Sequence, residues 1–301
     1  MSFGDIVWSP WETRVNSWTE ALQAVDEISD LVGNQMLVWR GVVDASWSMH
    51  SSIHRRVVQL ATYQPSEAIL QRYEVEILRR CRNQWRYDDL TALELMAHIQ
   101  HFGGPTRLID VTLNPLIGLW FAVEEKYGIG GTVSAPTDAR LFAFAVSNRV
   151  DMTTDKDVWG GRDLPWAKWT SKKDPWGRFT TPPRLWVPPA YNERISAQNA
   201  GFLIGGTPNT YGGSVWREGP GTNKKPLSID VVRAASSLNV RPAQLGRKPR
   251  SGTFPVYNLR IDAGAKAEIR RRLEDRYGYT TATIYPDLYA MANNVLKTKI
   301  V

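Results

Sequence analysis

Short apolar runs predict the strands of this chain. Each run is bounded by turn-forming residues and enriched in aliphatic or aromatic side chains, which is typical of buried strands. The runs are QMLVWRG (35–41), PTRLID (105–110), ARLFAFAV (139–146), GFLI (201–204), FPVYNLRI (254–261) and TATIY (281–285). We expect ARLFAFAV to be central in a sheet because it is apolar from end to end.

Capping residues and a 3.6-residue apolar period predict the helices. The start signals are the capping boxes of Ser17 with Glu20 and Thr91 with Glu94, and Asn114 followed by Pro115. Gly33 and Gly103 mark helix ends. Further helices are expected over 66–82 and 263–277 and from Pro286 onward. In the first of these, the inward residues would be Ile69, Tyr73, Ile77 and Leu78.

The interspersed order of these elements, without a regular βαβ rhythm, favours the α+β class. We expect one domain over 1–301. Two long stretches, 151–193 and 205–250, are rich in Pro and Gly together with Trp or basic residues, so they are interpreted as insertions around the sheet.

Composition and charge restrict the possible functions. Cys81 is the single cysteine, which excludes an internal disulfide and a thiolate metal cluster and fits a reducing compartment. No signal peptide and no membrane-spanning apolar run is evident, so a cytoplasmic protein without a membrane partner is expected. The formal charge of +7 is local, since 156–186 and 239–250 each carry a net +4. Such stretches permit a nucleic acid or another polyanion as partner.

Polar residues crowd one strand-helix corner, residues 98–122. Asp110 and Thr112 lie on the same face of the predicted strand and precede the helix that begins after Asn114. Unsatisfied N–H groups at a helix start form a natural anion site. The alternative is that both side chains only cap the helix. His101 lies beside two glycines, where backbone can approach a ligand closely.

Two further patterns have both a functional and a structural interpretation. Glu94, His98 and His101 share a helix face opposite the core face of Ala92, Leu95, Met96, Ile99 and Phe102. They have the donor types of a zinc site, but lack a fourth ligand, so no metal is expected. The second pattern interleaves tryptophans with cations, as single-strand binding surfaces do. Its candidate residues are Trp166, Lys168, Trp169, Lys172 and Lys173, and the alternative is that the tryptophans pack into the core.

Four blocks in order resemble the FRG domain family of prokaryotic and phage proteins. They are VWRG (38–41), QHFGGPTRLIDVTLNPLIGLWFA (100–122), RISAQNAGF (194–202) and ATIYPDLYAMAN (282–293). The family's aromatic-Arg-Gly opening is Trp39-Arg40-Gly41 here. Its common Asp-Trp-Thr is Asp110-Val111-Thr112, which loses an aromatic surface and keeps both polar groups.

The order of these blocks is similar to the plan of ADP-ribosyltransferases, which implies a split mixed or antiparallel sheet with flanking helices and NAD as substrate. By that resemblance Arg40, with Gly41, would hold a phosphate or the nicotinamide-side ribose of NAD, and Arg107 would bind an anionic group. Asp110 and Thr112 would occupy the Ser-Thr-Ser position. Gln198 would take the position of the catalytic glutamate. Because Gln198 carries no charge, Asp110 is favoured as the carboxylate, with Glu193 as the other candidate.

The resemblance therefore implies an NAD-dependent ADP-ribosyltransferase-like enzyme, a toxin or phage-conflict effector that modifies a nucleic acid or protein. Its catalytic residues would be Asp110, His101 and Gln198. The alternatives are a non-catalytic nucleotide or nucleic-acid binding module with the same pocket and, third, a metal-dependent hydrolase at Glu94, His98 and His101.

Overall fold

A computed structural model of the chain places one sheet at the centre of the molecule. The structure describes residues 2–125, 136–146, 149–150, 152, 156–168, 183–189, 193–208, 216–221, 223–249 and 253–287. The helix predicted from Pro286 onward falls almost wholly outside these ranges.

The sheet joins strands from both halves of the chain. The strands are β1 (Glu12–Val15), β2 (Met36–Val42), β3 (Ile109–Thr112), β4 (Ala139–Val146), β5 (Arg184–Trp186), β6 (Ala200–Ile204), β7 (Arg241–Pro242) and β8 (Pro255–Ile261). Their order is β1-β8-β4-β2-β3-β6-β5, and β7 pairs with β8. The β1–β8 and β7–β8 pairs are parallel, whereas the other pairs are antiparallel. This mixed sheet with flanking helices confirms the α+β class.

Helices cover both faces of the sheet. In chain order they are α1 (Phe3–Trp8), α2 (Trp18–Val32), α3 (Ser52–Ala61), α4 (Glu67–Trp85), α5 (Ala92–His101), α6 (Pro115–Val123), α7 (Lys156–Trp159), α8 (Glu193–Ala197), α9 (Ile229–Ala235), α10 (Lys266–Tyr277) and α11 (Thr281–Ile284). One apolar core contains residues of α2, α6 and α10, a second contains residues of α1 and α9, and a third lies under α4 and α5. None of the helices in the described ranges combines the length and apolar composition that crossing a membrane requires.

The sheet is almost divided between β2 and β3. Strand β2 pairs with β4 along its whole length, from Met36 to Val42, but it meets β3 only where Trp39 lies opposite Thr112. Strand β3 pairs with β6 along its whole length. The two parts of the sheet therefore separate after Trp39, and a cleft opens between them.

Local sequence signals account for most of these elements. Thr91 and Glu94 form both hydrogen bonds of a capping box at the start of α5, and Asn114 accepts the N–H of Leu116 at the start of α6. Gly33 ends α2 with a φ of 58°. Strand β4 has the predicted bounds and is buried throughout, as its unbroken apolar run indicates.

Some of the predicted elements are wrong. TATIY is the short helix α11 rather than a strand, because Thr280 and Thr283 form a reciprocal cap that starts a helical turn. The strand expected at 105–110 begins only at Ile109. Of the two stretches interpreted as insertions, 151–193 contains β5, and 205–250 contains α9 and β7.

Two residues expected to face the core are exposed: Tyr73 on α4 and Phe102 at the end of α5. On α4 the buried positions are Leu70, Glu74 and Leu78. The apolar period on that helix is therefore interrupted by a buried carboxylate. Phe102 lies after the last helical turn, where the 3.6-residue period no longer determines its direction.

Candidate functional site

The cleft between β2 and β3 has a volume of about 770 Å³, within the roughly 300–1,000 Å³ typical of small-molecule sites. It brings together Arg40, Asp110 and Gln198, which come from three distant segments. The other predicted site residues that line it are Gly41, His101 and Thr112. Most of the predicted pocket is therefore assembled in one place.

Arg40 and Asp110 contact each other across the opening in the sheet. The Arg40 side chain is 21% exposed, and its Nη1 donates to the Asp110 backbone oxygen at 2.7 Å and lies 3.8 Å from Oδ2. Gln100 Nε2 donates to Asp110 Oδ1 at 2.6 Å. Burial lowers the pKa of Arg40, and the Asp110 charge opposes that shift. The Asp110 side chain lines the cleft and is 66% exposed.

Arg55 of α3 supplies a second guanidinium to the same wall. Its Nη1 donates to the His50 backbone oxygen at 2.6 Å, which fixes the side chain. Burial lowers the pKa of Arg55, whereas the Asp110 charge raises it. The Arg55 charge in turn lowers the pKa of Arg40. Two cations thus share one carboxylate, which leaves an excess positive charge that a bound anion would compensate.

Two stacked histidines belong to this wall, and of these His50 lines the cleft. The rings of His50 and His54 stack with centroids 4.1 Å apart. Burial lowers the pKa of His50 to about 3 and that of His54 to about 4. Both are therefore neutral near pH 7, and His50 Nε2 donates to the Arg233 backbone oxygen at 2.8 Å.

Thr112 and Gln198 connect β3 to the turn before β6. Thr112 Oγ1 donates to the Gln198 backbone oxygen at 2.7 Å and accepts the Asn114 N–H at 3.1 Å. Gln198 Nε2 donates to the Ile284 backbone oxygen at 3.0 Å. The Thr112 hydroxyl thus joins the two strand ends and contributes to the cap of α6. Helix capping is the structural role that the sequence offered as the alternative to ligand binding for this residue.

The opposite wall lies on the face of the sheet that carries α6. Phe121 and Glu124, at the end of that helix, line it together with Arg194 and Tyr285. Arg194 forms a two-point ion pair with Asp287, at 2.7 and 3.1 Å, and lies over the Tyr285 ring at 5.5 Å. The Tyr285 hydroxyl donates to Glu124 Oε1 at 3.4 Å. Burial and the Glu124 charge raise the pKa of Tyr285.

His101 borders the cleft at the end of α5. Its ring meets the Phe102 ring edge to face with centroids 5.1 Å apart. Burial, and next the charge of Arg194, lower the pKa of His101 from its ordinary value of 6.5. A neutral imidazole at pH 7 can accept a proton, the role predicted for this residue.

Arg107, predicted to bind an anionic group of NAD, does not line the cleft. Its side chain is buried, and it pairs with both carboxylate oxygens of Glu74 at 2.5 Å and with Glu67 at 2.8 Å. Arg107 precedes β3, which begins only at Ile109, and its side chain extends to the two carboxylates of α4 rather than into the cleft. The prediction is corrected: Arg107 is satisfied inside the core and has no access to a ligand in this pocket.

Trp166, predicted to stack on bases, is also a core residue. It is 0% exposed, its Nε1 donates to Glu74 Oε2 at 3.1 Å, and the Arg107 guanidinium lies 4.8 Å from its ring centre. A ring enclosed in this way has no face open to a nucleic acid. The other four candidates cannot be compared in the same way. The described ranges do not include Trp169, Lys172 or Lys173, and they do not include the side chain of Lys168.

Glu94 and Glu193 are not in the cleft either. The carboxylate of Glu94 caps α5 through Thr91, which occupies the donor that a metal would need. The part of the chain that the structure describes contains no group of three His, Cys, Asp or Glu side chains placed to hold a metal ion. Glu193 is exposed at the start of α8 and does not line the cleft.

Comparison with known proteins supports part of the resemblance. Residues 35–128 match the FRG domain family. No curated protein and no solved structure matches the chain. The matched residues include β2, β3, α5 and α6, and so the Trp39-Arg40-Gly41 and 100–122 blocks, whereas the 194–202 and 282–293 blocks lie outside them. The predicted resemblance is therefore confirmed for one segment: residues 35–128 of this chain match the FRG domain.

Proposed function

We propose that the cleft binds NAD and transfers its ADP-ribosyl group to a nucleophile on a nucleic acid or protein. The observation that carries this proposal is the meeting of Arg40, Asp110 and Gln198 in one cleft where the sheet opens. A guanidinium for phosphate, a carboxylate for a developing cation and an amide for a hydroxyl are the groups that this chemistry needs.

Arg40 and Arg55 would bind the diphosphate. A planar guanidinium binds phosphate oxygens in pairs, and within the described ranges the Asp110 carboxylate is the counter-charge that acts on both side chains. This arrangement supplies the attraction for an anion before any ligand enters. Gln198 would orient a ribose hydroxyl through its amide oxygen, since its amide nitrogen is held by Ile284.

Asp110 would stabilise the transition state. The bond between the ribose C1′ and the nicotinamide nitrogen breaks, and its electron pair leaves with nicotinamide, which becomes neutral. The positive charge that develops on the ribose is stabilised by the Asp110 carboxylate. The acceptor then forms a bond to C1′, and the proton that it loses passes to the neutral His101 ring.

The first experiment measures nicotinamide release and label transfer from radiolabelled NAD with the purified full chain. Asp110→Asn keeps the size of the side chain and removes its charge, so both rates should fall by about 100- to 1,000-fold. Asp89→Asn, at an exposed position between α4 and α5, is the matched control and should retain wild-type rates. Equal rates in Asp110→Asn and the wild type would refute the role of Asp110, and the absence of turnover in the wild type would refute the transferase.

A second candidate is a nucleotide-binding module without turnover. It is favoured by the engagement of Asp110 with both Arg40 and Gln100 and by the uncharged Gln198. In this case NAD or a nucleic acid would bind in a salt-sensitive manner and remain intact. Isothermal titration at two salt concentrations, followed by chromatography of the recovered ligand, separates this module from an enzyme.

We also propose that the transferase acts as a toxin or phage-conflict effector. Induced expression in bacteria should then slow growth, because NAD is consumed or a cellular target is modified. Asp110→Asn, expressed to the same level, should restore growth, and Asp89→Asn should not. Growth inhibition of equal strength by Asp110→Asn would show that it does not depend on the proposed reaction.

A further inference from the structure

We propose that the Trp47 side of the cleft is the adenine subsite, in which the base stacks on the Trp47 indole and the adjoining phosphate lies between Arg40 and Arg55. This inference rests on the proposed function in taking NAD as the ligand. It adds which end of NAD each wall binds.

Trp47 differs from most tryptophans of the chain in being open. It is 51% exposed and lines the cleft, whereas Trp8, Trp120, Trp159, Trp166 and Trp186 are almost completely buried. Among the described residues, no other ring packs against its indole. An exposed aromatic face at the edge of a pocket gains contact area when a planar base covers it.

The backbone around Trp47 is held on both sides. Its own N–H donates to Asp44 O at 3.2 Å, and the Asp44 carboxylate accepts both the N–H and the hydroxyl of Ser46. After it, Ser48 Oγ donates to Ala234 O at 2.6 Å, and Met49 N–H donates to Ala235 O at 2.8 Å. The indole is thus presented from a fixed loop, which reduces the entropy lost when a ligand stacks on it.

Cations lie on the same wall as the open indole. Arg55 and His50, which holds the Arg55 guanidinium, line the cleft together with Trp47 and Ser48. Arg40 and Arg55 share the one carboxylate of Asp110. A stacking surface next to two guanidinium groups is the combination that recognises a base linked to phosphate.

The other wall favours the opposite end of NAD. Met49, close to Trp47 in the chain, belongs to the core on the α1 and α9 face, whereas Phe121 and Tyr285 pack on the α6 face. That second wall contains the Glu124 carboxylate and aromatic faces, and the charge of its Arg194 is compensated by the ion pair with Asp287. These groups attract a pyridinium cation, which the two arginines beside Trp47 would repel. Adenine is therefore assigned to Trp47 and nicotinamide to the Glu124 wall.

The test is isothermal titration of the full chain with ADP-ribose, AMP and nicotinamide mononucleotide. Trp47→Ala should weaken ADP-ribose and AMP binding by about 5- to 150-fold, the range that the loss of one base stack gives. Trp47→Phe should retain most of the affinity because it keeps an aromatic face. Nicotinamide mononucleotide should bind to Trp47→Ala within about twofold of its wild-type affinity.

Trp85→Ala is the matched control, since Trp85 is 63% exposed on α4 and does not line the cleft. Its affinity for all three compounds should equal that of the wild type. The subsite is refuted if Trp47→Ala binds ADP-ribose as tightly as Trp85→Ala, or if its main loss is for nicotinamide mononucleotide. If the wild type binds AMP through Trp47 but never cleaves NAD, the subsite stands and the transferase fails. A wild type that binds none of the compounds refutes both.

Discussion

At the scale of single residues, three consecutive residues of β2 have three different roles in the structure. Trp39 is buried and forms the one register pair between β2 and β3, and Arg40 lines the cleft. Gly41 lies where α6 crosses the strand: a Cβ there would be 2.1 Å from Gly118 O and 2.4 Å from Ala122 N. Both are backbone atoms, which cannot move aside as a flexible side chain can.

Gly41→Ala should therefore destabilise the fold by about 1–3 kcal/mol, the usual cost of overpacking a core. Chemical denaturation of the variant and the wild type measures this difference. Gly161→Ala is the control, because the nearest atom to a Cβ at that position is 3.9 Å away, and its stability should stay within about 0.5 kcal/mol of wild type. If the two variants unfold at the same denaturant concentration, the close approach of β2 and α6 is not limiting.

The His50 and His54 pair predicts loss of stability in acid. Their pKa values in the folded chain are lowered to about 3 and about 4, while in the unfolded chain a histidine titrates near 6.5. Between these limits the unfolded state binds more protons, so the free energy of unfolding falls as the pH drops below about 6.5. The groups that face the pair are Gln64, which bonds His54, and the cations Arg55 and Arg233, which disfavour protonation.

Urea denaturation from pH 8 to 4 measures this dependence. In His54→Gln one of the two histidines is absent, so its free energy of unfolding should fall less between pH 6.5 and 4 than that of the wild type. Above pH 7.5 both proteins should give flat profiles separated by a constant offset. Parallel profiles down to pH 4 would mean that His54 protonates freely in the folded state.

At the scale of elements, α4 is held to the rest of the molecule by an ion pair inside an apolar core. Glu74 and Arg107 are 2% and 3% exposed, and Glu67 and Trp166 complete the polar contacts around the guanidinium. Glu74 accepts two hydrogen bonds from Arg107, and Glu67 remains as a second counter-charge if Glu74 is neutralised. The same helix carries Glu76, which pairs with Arg79 and Arg80 in solvent.

Glu74→Gln should lower the free energy of unfolding by about 1.5–3 kcal/mol because Arg107 loses charged hydrogen bonds, although it keeps Glu67 as a counter-charge. Glu76→Gln, two residues along α4, should change it little, since water screens the exposed pairs. Thermal or urea unfolding of the two variants gives the comparison. A small effect of Glu74→Gln would place water or another acceptor beside Arg107.

Elements with local causes could be predicted from the sequence, and elements with distant causes could not. The starts of α5 and α6 depend on Thr91, Glu94 and Asn114, which lie within a few residues of the backbone groups they satisfy. TATIY has the β propensity of a strand, but the Thr280 cap makes it helical. The burial of Glu74 depends on its contact with Arg107, 33 residues away in the chain. A periodic pattern of apolar residues gives no information on such a distant contact.

At the scale of the whole molecule, the cleft depends on segments that are far apart in the chain. Arg40, Asp110 and Gln198 could be selected from sequence because each stands at a turn or strand end in a block of the family resemblance. Arg55, Trp47 and Glu124 could not, since each lies in an unremarkable loop or helix position and enters the site only through packing. The separation of β2 from β3 is a property of register, which hydrophobic pattern alone does not determine.

The match to the FRG domain covers less than the structural unit. Strand β2 is paired along its length with β4, and β3 with β6, and both partners lie outside residues 35–128. A fragment of residues 35–128 should therefore fail to fold, because two apolar strands lose their hydrogen-bonding partners. Urea titration followed by circular dichroism should show no cooperative transition, in contrast to the full chain; a sharp transition would contradict the prediction.

A single register pair, Trp39 with Thr112, joins the two parts of the sheet that form the sides of the cleft. The Trp47 wall and the Glu124 wall in addition adjoin different apolar cores, one on each face of the sheet. Sequence changes that retune recognition at one end can accumulate without disturbing the other. We expect natural variants of this scaffold to exchange one half of their ligand while keeping the second half.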